Sequence, residues 1–233
     1  MRRYLDEREA RRLLSGGPVV LVTASRRGRH NVMPVAYAMP LSIEPPLIGI
    51  LVHPSRLTFD IIKASDEFAL NFPSRHLLHH VQYLGSVSGA NIEKLELTKL
   101  PTFRARKVET VLLEWCVAWI ECGVEQMVAL GDHYLVVGRV LAALVEEEAF
   151  SDHWLLGDDD AKPLHYLGAN FYSLLSNIME ARVPKPAEEY DLKLQEAVDE
   201  LLELTREAQE RREESEEELE EFVRREGFAP PEE

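Results

Sequence analysis

Cysteine is nearly missing from this chain: there are two, Cys116 and Cys122, among 233 residues. Two thiols cannot build a disulfide framework or a cysteine-rich zinc site. They stand six positions apart in a run that reads as strand, roughly 20 Å in extended chain and beyond disulfide reach. Both are expected to be buried as small apolar residues. Basic residues are also in short supply, with 26 Lys+Arg against 41 Asp+Glu, a net charge of -15 and a pI near 5.0. A general nucleic-acid binder needs the opposite balance, because phosphate contacts require clustered cations. Long hydrophobic runs are lacking too: stretches such as Pro46 to Val52 fall far short of the ~20 residues that cross a bilayer. Met1-Arg2-Arg3 leads into charged, helix-like sequence rather than an apolar signal core, so the expected location is the cytoplasm, without a membrane. Neither G-x-G-x-x-G nor a P-loop occurs, which removes the Rossmann and Walker phosphate sites.

What is present suffices for a packed domain. Hydrophobic residues make up 45% and charged residues 29%, which leaves a sizeable core and excludes wholesale disorder. The acidity is uneven. From Pro184 to Glu233 there are 19 acids and 7 bases, a net of -12, whereas residues 1–183 carry 22 acids and 19 bases, a net of -3. Pro184-Lys185-Pro186 marks the boundary between a body (1–183) and a C-terminal extension (184–233). Within the extension Leu194, Val198, Leu201, Thr205 and Ala208 form a helical stripe, and Glu213 to Glu221 is almost wholly acidic. This reads as a helical arm packed on its own protein or a dimer partner; the alternative is an acidic docking helix.

In the body, Tyr4 to Leu14 reads as a helix, ended by Ser15-Gly16-Gly17-Pro18. Strands follow at Val19–Thr23, Asn31–Met39 and Leu47–Val52, then a short helix from Thr58 to Ala64 and a strand from Glu67 to Phe72. Arg75 to Tyr83 reads as helix, and Gly85 to Gly89 as a loop of small residues. Three more strands are expected at Thr110–Val124, Gln126–Leu130 and His133–Leu144, with Trp115 and Trp119 sharing a face of the first. Closely spaced strands, turn chemistry and short helices without a βαβ rhythm argue for a mainly β, antiparallel barrel.

One segment carries a chemical signal. Ser55-Arg56-Leu57-Thr58 opens a helix after a buried strand, where free N–H groups and an arginine suit a phosphate. The competing reading is a plain helix cap. Ala36 and Ala38 would let a flat ligand approach their strand. His76, His79 and His80 have helical spacing but no clear third ligand, so they read as solvated or packed rather than as a metal site. Glu109, Glu114 and Glu121 have no recognisable base beside them.

Taken in order, several segments resemble the flavin reductase-like family of FMN-binding split barrels that includes flavoredoxins. They are Pro18–Thr23, Asn31-Val32-Met33, Ser42-Ile43-Glu44-Pro45-Pro46, Glu67 to Pro73, Gly85 to Gly89, Glu93-Lys94-Leu95, Glu121-Cys122, and Gly131-Asp132-His133 through Val140. The resemblance implies a Greek-key split β-barrel with short peripheral helices and a C-terminal helical arm. It implies a homodimer holding FMN at its interface, with the flavin ring along Ala36, Tyr37, Ala38 and Met39 and Ser42 near the ring's polar edge. Ser55, Arg56, Leu57 and Thr58 match the phosphate loop, and Asn71, Ser86, Ser88 and Lys94 match polar positions around the ribityl chain and phosphate. His133 matches a residue near the docking face of nicotinamide and is the implied catalytic position. The implied reaction passes hydride from NADH or NADPH to the flavin and on to a ferric, oxygen or protein acceptor. The alternative is a non-catalytic flavin-binding protein or carrier that docks a partner through its acidic arm. Pro34, Tyr37 and Leu95 stand where the family commonly has Thr, Trp and Phe.

Overall fold

The computed structural model describes residues 14–179 and 194–211. The chain divides into two units, Met1–Ile178 and Met179–Glu233. Residues 4–13 of the expected first helix, the Pro184 boundary and the acidic run from Glu213 lie outside the described residues. In the second unit, residues 194–211 are helical, with Leu194, Val198 and Leu201 exposed along one stripe.

The first unit is built on a seven-stranded antiparallel sheet. Its strands are β1 (Val20–Arg26), β2 (Arg29–Val35), β3 (Ala38–Ser42), β4 (Leu47–Val52), β5 (Glu67–Pro73), β8 (Cys116–Leu130) and β9 (His133–Val145), in the order β2-β1-β5-β8-β9-β4-β3. The hairpins β1–β2, β3–β4 and β8–β9 are interleaved rather than laid side by side, which gives the Greek-key character. β2 and β3 are the two edges, yet only Ala36 and Tyr37 separate them. Three residue steps reach no more than about 10 Å, so the edges lie close together without pairing. The sheet is therefore a split barrel, with the split at Ala36-Tyr37.

β1 reads as an unbroken apolar run because both of its faces are covered. Val20 and Val22 pack with Ile50, Phe68 and Val136, while Leu21 belongs to a second cluster with Leu77, Leu84 and Leu113. Helix α1 (Leu57–Ser65) closes the first cluster with Phe59, Ile61 and Ile62. It stops at Asp66, whose left-handed backbone turns its N–H onto the Ile62 carbonyl at 2.8 Å. Helices α2 (Leu78–Ser86) and α3 (Lys94–Thr98) cover the other side.

Several expectations are corrected. The stretch Asn31–Met39 is two strands, because the chain crosses the barrel's split within it. Residues 116–130 form one strand rather than two, its irregularity being register shifts at Glu121/Cys122 and Val124/Gln126. Thr110–Val124 is instead interrupted: β7 (Val111–Leu113) pairs with β6 (Thr102–Arg104), and a turn follows. Trp115 sits in that turn at φ 63°, 55% exposed, whereas Trp119 is 3% exposed and donates from Nε1 to the Leu113 carbonyl. The two tryptophans thus do not share a face. Gly85 and Ser86 end α2 rather than opening a loop. A hairpin of β10 (His165–Gly168) and β11 (Phe171–Ser173) was not expected.

Cys116 and Cys122 are both buried in β8; desolvation raises both thiols, Cys122 to about 12, which keeps them unreactive. Glu121 is structural: its carboxylate accepts the N–H groups of Arg106, Lys107 and Val108 at 3.0, 2.5 and 3.2 Å. Among the described residues no helix is long and apolar enough to cross a membrane.

Candidate functional site

Two connected hollows lie beside the split. A cleft of about 450 Å³ and a smaller cavity of about 80 Å³ share Met33, Pro34, Arg56 and Gly85 in their walls. The small cavity is polar. Arg56 is the N-cap of α1, in extended conformation, and no side chain caps the helix start. The Asn31 amide donates to Thr58 Oγ1 at 2.7 Å, so the threonine keeps its own hydrogen for another acceptor. Ser88 and Lys94 complete the wall.

Lys94 is the unusual member. It is 4% exposed, and its Nζ donates to the Leu84 carbonyl at 2.7 Å. The neighbouring Glu93 is turned away onto Arg29 at 2.8 Å. Among the described residues no carboxylate pairs with Lys94. Desolvation first, and the Arg56 charge second, pull its ammonium down to about 8. A buried ammonium and an exposed guanidinium thus line one cavity, and among the described residues no carboxylate lines it, an arrangement that an anion with several acceptor oxygens would complete.

Gly89 adds a steric requirement, since a Cβ there would lie 2.2 Å from Asn31 Oδ1. Gly89→Ala is therefore expected to displace the Asn31 amide from Thr58, weakening anion binding about tenfold and lowering stability by about 1–2 kcal/mol. Calorimetric titration with inorganic phosphate and with FMN checks this.

The larger cleft is flatter and more apolar. Ala36 and Tyr37 at the split form one wall; Val81, Gln82, Tyr166 and Tyr172 form another. Tyr172 donates to Gln82 Oε1 at 2.8 Å, and the rings of Tyr166 and Tyr172 lie 5.4 Å apart. Burial, and then Tyr166, raise the Tyr172 phenol, so it remains a neutral donor. His53 and His133 also line the cleft, with perpendicular rings 5.3 Å apart. A planar ring system with an anionic tail fits this pairing of hollows.

A family model described as "Flavin reductase like domain" matches residues 12–175. The chain belongs to the flavin reductase-like family. An uncharacterized protein of Escherichia coli, YddH, is 31% identical over 173 residues, 72% of this chain and 92% of that one. A flavin reductase of Pseudomonas putida is 28% identical over 121 residues, 52% of this chain and 68% of that one. Among solved structures, an FMN-binding protein from Thermus thermophilus aligns with a TM-score of 0.68 at 27% identity, covering 78% of this chain and 100% of that one. Flavoredoxin from Methanosarcina acetivorans aligns with a TM-score of 0.68 at 23% identity, covering 79% and 97%, which shows a shared fold.

Of the residues expected in this flavin reductase-like site, the two hollows bring together Ala36, Tyr37, Arg56, Leu57, Thr58, Ser86, Ser88, Lys94 and His133. Ser86 Oγ is already bonded to the Tyr83 carbonyl at 2.7 Å. Ala38, Met39 and Ser42 continue along β3 but do not line either hollow; Ala38 packs against the barrel core and Met39 is 43% exposed. Ser55 is one step removed, bonded to His53 Nδ1 at 2.8 Å. Asn71 is corrected outright. It is buried, donates to Leu21 O and Thr23 Oγ1 at 2.8 and 3.2 Å, and accepts from Leu113 N at 2.8 Å, so its amide is fully engaged inside the fold.

His53, Gln82, Tyr166 and Tyr172 were missed. His53 carried a signal, standing two residues before the Ser55-Arg56 pair. The tyrosines carried none, because they reach the cleft only through the β10–β11 hairpin.

Proposed function

We propose that this flavin reductase-like protein binds FMN, with the phosphate in the cavity of Arg56, Thr58, Ser88 and Lys94 and the ring in the cleft beside Ala36 and Tyr37. The observation that carries this is the buried ammonium of Lys94 beside Arg56, two cations with which no carboxylate among the described residues is paired. Bound flavin would supply the redox chemistry, accepting hydride from NADH or NADPH and passing electrons to an acceptor. The chain's own residues bind and orient. Arg56 and Lys94 hold the anionic end, Thr58 Oγ1 donates to it, Ala36 leaves room for a flat ring, and Tyr37 and Tyr172 exclude water from its faces.

The working form is a cytoplasmic homodimer, with residues 184–233 as a separate extension. Supporting the dimer, Met39 and Leu41 on β3 and Leu141 and Leu144 toward the end of β9 are exposed apolar side chains that a partner would cover. A second reading, a flavin carrier without turnover that docks a partner through its acidic C-terminal helix, draws on the 19 acids against 7 bases of residues 184–233.

Purified protein mixed with FMN should take up about one flavin per chain and then oxidise NADH or NADPH at steady state. Uptake without turnover favours the carrier. Absence of uptake by calorimetry at millimolar FMN overturns both.

A further inference from the structure

The helix of residues 194–211 carries its apolar side chains in a stricter order than a helix lying on a surface needs. Leu194, Val198, Leu201, Thr205 and Ala208 follow one another at steps of four, three, four and three, a heptad repeat. Val198 and Thr205 take the a positions of that repeat, and Leu194, Leu201 and Ala208 the d positions. The stripe is bare: Leu194, Val198 and Leu201 are 49%, 41% and 63% exposed.

The remaining positions are sorted by charge. All the acids of this helix, Glu196, Asp199, Glu200, Glu203, Glu207 and Glu210, stand at b, c and f, on the side away from the stripe. The e and g positions bordering it hold Gln195, Ala197, Leu202, Leu204 and Gln209, all uncharged, and then Arg211, whose guanidinium is held by Glu207 at 3.2 Å. Arg206, at b, is held in the same way by Glu210 at 3.2 Å. A helix that docked through its acidity would turn its carboxylates toward the partner, and here they point away from the apolar face. A second copy of the helix can therefore meet the stripe with no like charges opposed, the acids of both lying outside. β-Branched residues at a with leucine at d are the combination that favours two parallel strands.

We propose that residues 194–208 pair with the same segment of a second copy as a parallel, two-stranded coiled coil. Leu202 and Leu204 flank its seam. The next a and d positions are Arg212 and Ser215, so the seam ends after Ala208 and is about 22 Å long. A helix pair of that length is marginal alone. The inference thus rests on the homodimer reading above, in which the second copy is already tethered and its arm is present at high effective concentration.

The test uses the full chain at micromolar concentration under mild oxidation. Cys116 and Cys122 are buried and take no part. Leu201→Cys should yield a disulfide-linked dimer, because facing d positions stand at the ~6 Å Cα spacing that a disulfide spans. Glu203→Cys, on the outer face, should link about tenfold more slowly. Leu194→Cys and Ala208→Cys should each link to its own kind. In an antiparallel pair centred on Leu201 position 194 would meet position 208, and only a mixture of those two variants would link. Raised salt should keep or increase every yield, since it screens the repulsion between the acidic outer faces.

A chain that sediments as a dimer but links at position 203 as readily as at 201 overturns the inference and leaves the homodimer standing; the stripe then belongs against a barrel or another protein. Linkage confined to the 194–208 mixture overturns the parallel order, and a tetramer overturns the two-stranded one. A monomer removes the pairing together with the homodimer on which it rests.

Discussion

Lys94→Met is expected to weaken FMN binding about a hundredfold and, in the same protein, to raise the melting temperature by several degrees. The two effects share one cause. Folding buries the Lys94 ammonium next to Arg56 and lowers it from its ordinary value near 10.5 to about 8. At neutral pH that shift costs on the order of 3 kcal/mol of stability. Methionine removes the charge but leaves the Leu84 carbonyl without its donor, a loss of about 1–2 kcal/mol, so a gain of about 1–2 kcal/mol remains. Binding changes in the opposite direction because a charge-assisted contact to the phosphate disappears.

The pH dependence separates this account from a purely steric one. Between pH 8 and 10.5 the unfolded chain binds more protons at Lys94 than the folded chain. Stability of the ligand-free wild type relative to Lys94→Met should therefore rise with pH across that window, the opposing contribution of the buried Cys116 and Cys122 thiols being common to both proteins. FMN needs the protonated amine, so its affinity should be level below pH 8 and fall toward tenfold per unit above it. Melting curves and calorimetry at pH 7 and pH 9.5 on both proteins decide the matter. A flat affinity profile in the wild type would remove Lys94 from the phosphate site.

The parts of the fold that sequence reading reached are those set by local pattern. The β1 run, the α1 start at Arg56 and the long β9 strand each declare themselves within a dozen residues. The parts it missed depend on distant partners. Three-residue strands such as β6 and β11 hold no periodicity of their own and exist only through their ladders. The bulges of β8 look like a strand break because each shifts the alternation by one residue. In the site, Arg56 and Thr58 could be singled out because they open a helix directly after a buried strand, whereas Ser88 carried no such local signal. Lys94 was named by resemblance, yet its lack of a counter-ion appears only when Glu93 is seen turned onto Arg29.

Asn71 is the clearest case of the same limit, and it yields the largest expected loss of stability. In Glu67 to Pro73 the side chains alternate, so Phe68 and Leu70 enter one core cluster while Ala69 and Asn71 face the other. A polar residue there reads naturally as a ligand contact. In the fold it joins three strands instead: its amide nitrogen donates to Leu21 and Thr23 of β1, and its oxygen accepts from Leu113 of β7. Thr23 Oγ1 extends the link by donating to the Val111 carbonyl at 2.7 Å. The small β6–β7 ladder is thereby pinned to the main sheet by one amide and one hydroxyl.

Asn71→Ala would orphan the buried Leu113 N–H and open a hollow beside Leu21, for an expected loss of about 3–4 kcal/mol. Asn71→Asp should be worse at neutral pH, because an ionised carboxylate cannot donate to the Leu21 carbonyl and burial opposes its charge. Burial raises such a carboxyl, so the Asp variant should regain stability as the pH falls through its folded pKa, until general acid unfolding sets in. FMN affinity of the folded fraction should stay within twofold of wild type in both variants. Denaturant unfolding gives the stability and calorimetry gives the affinity. A large loss of FMN affinity with unchanged stability would return Asn71 to the ribityl chain and undo this assignment.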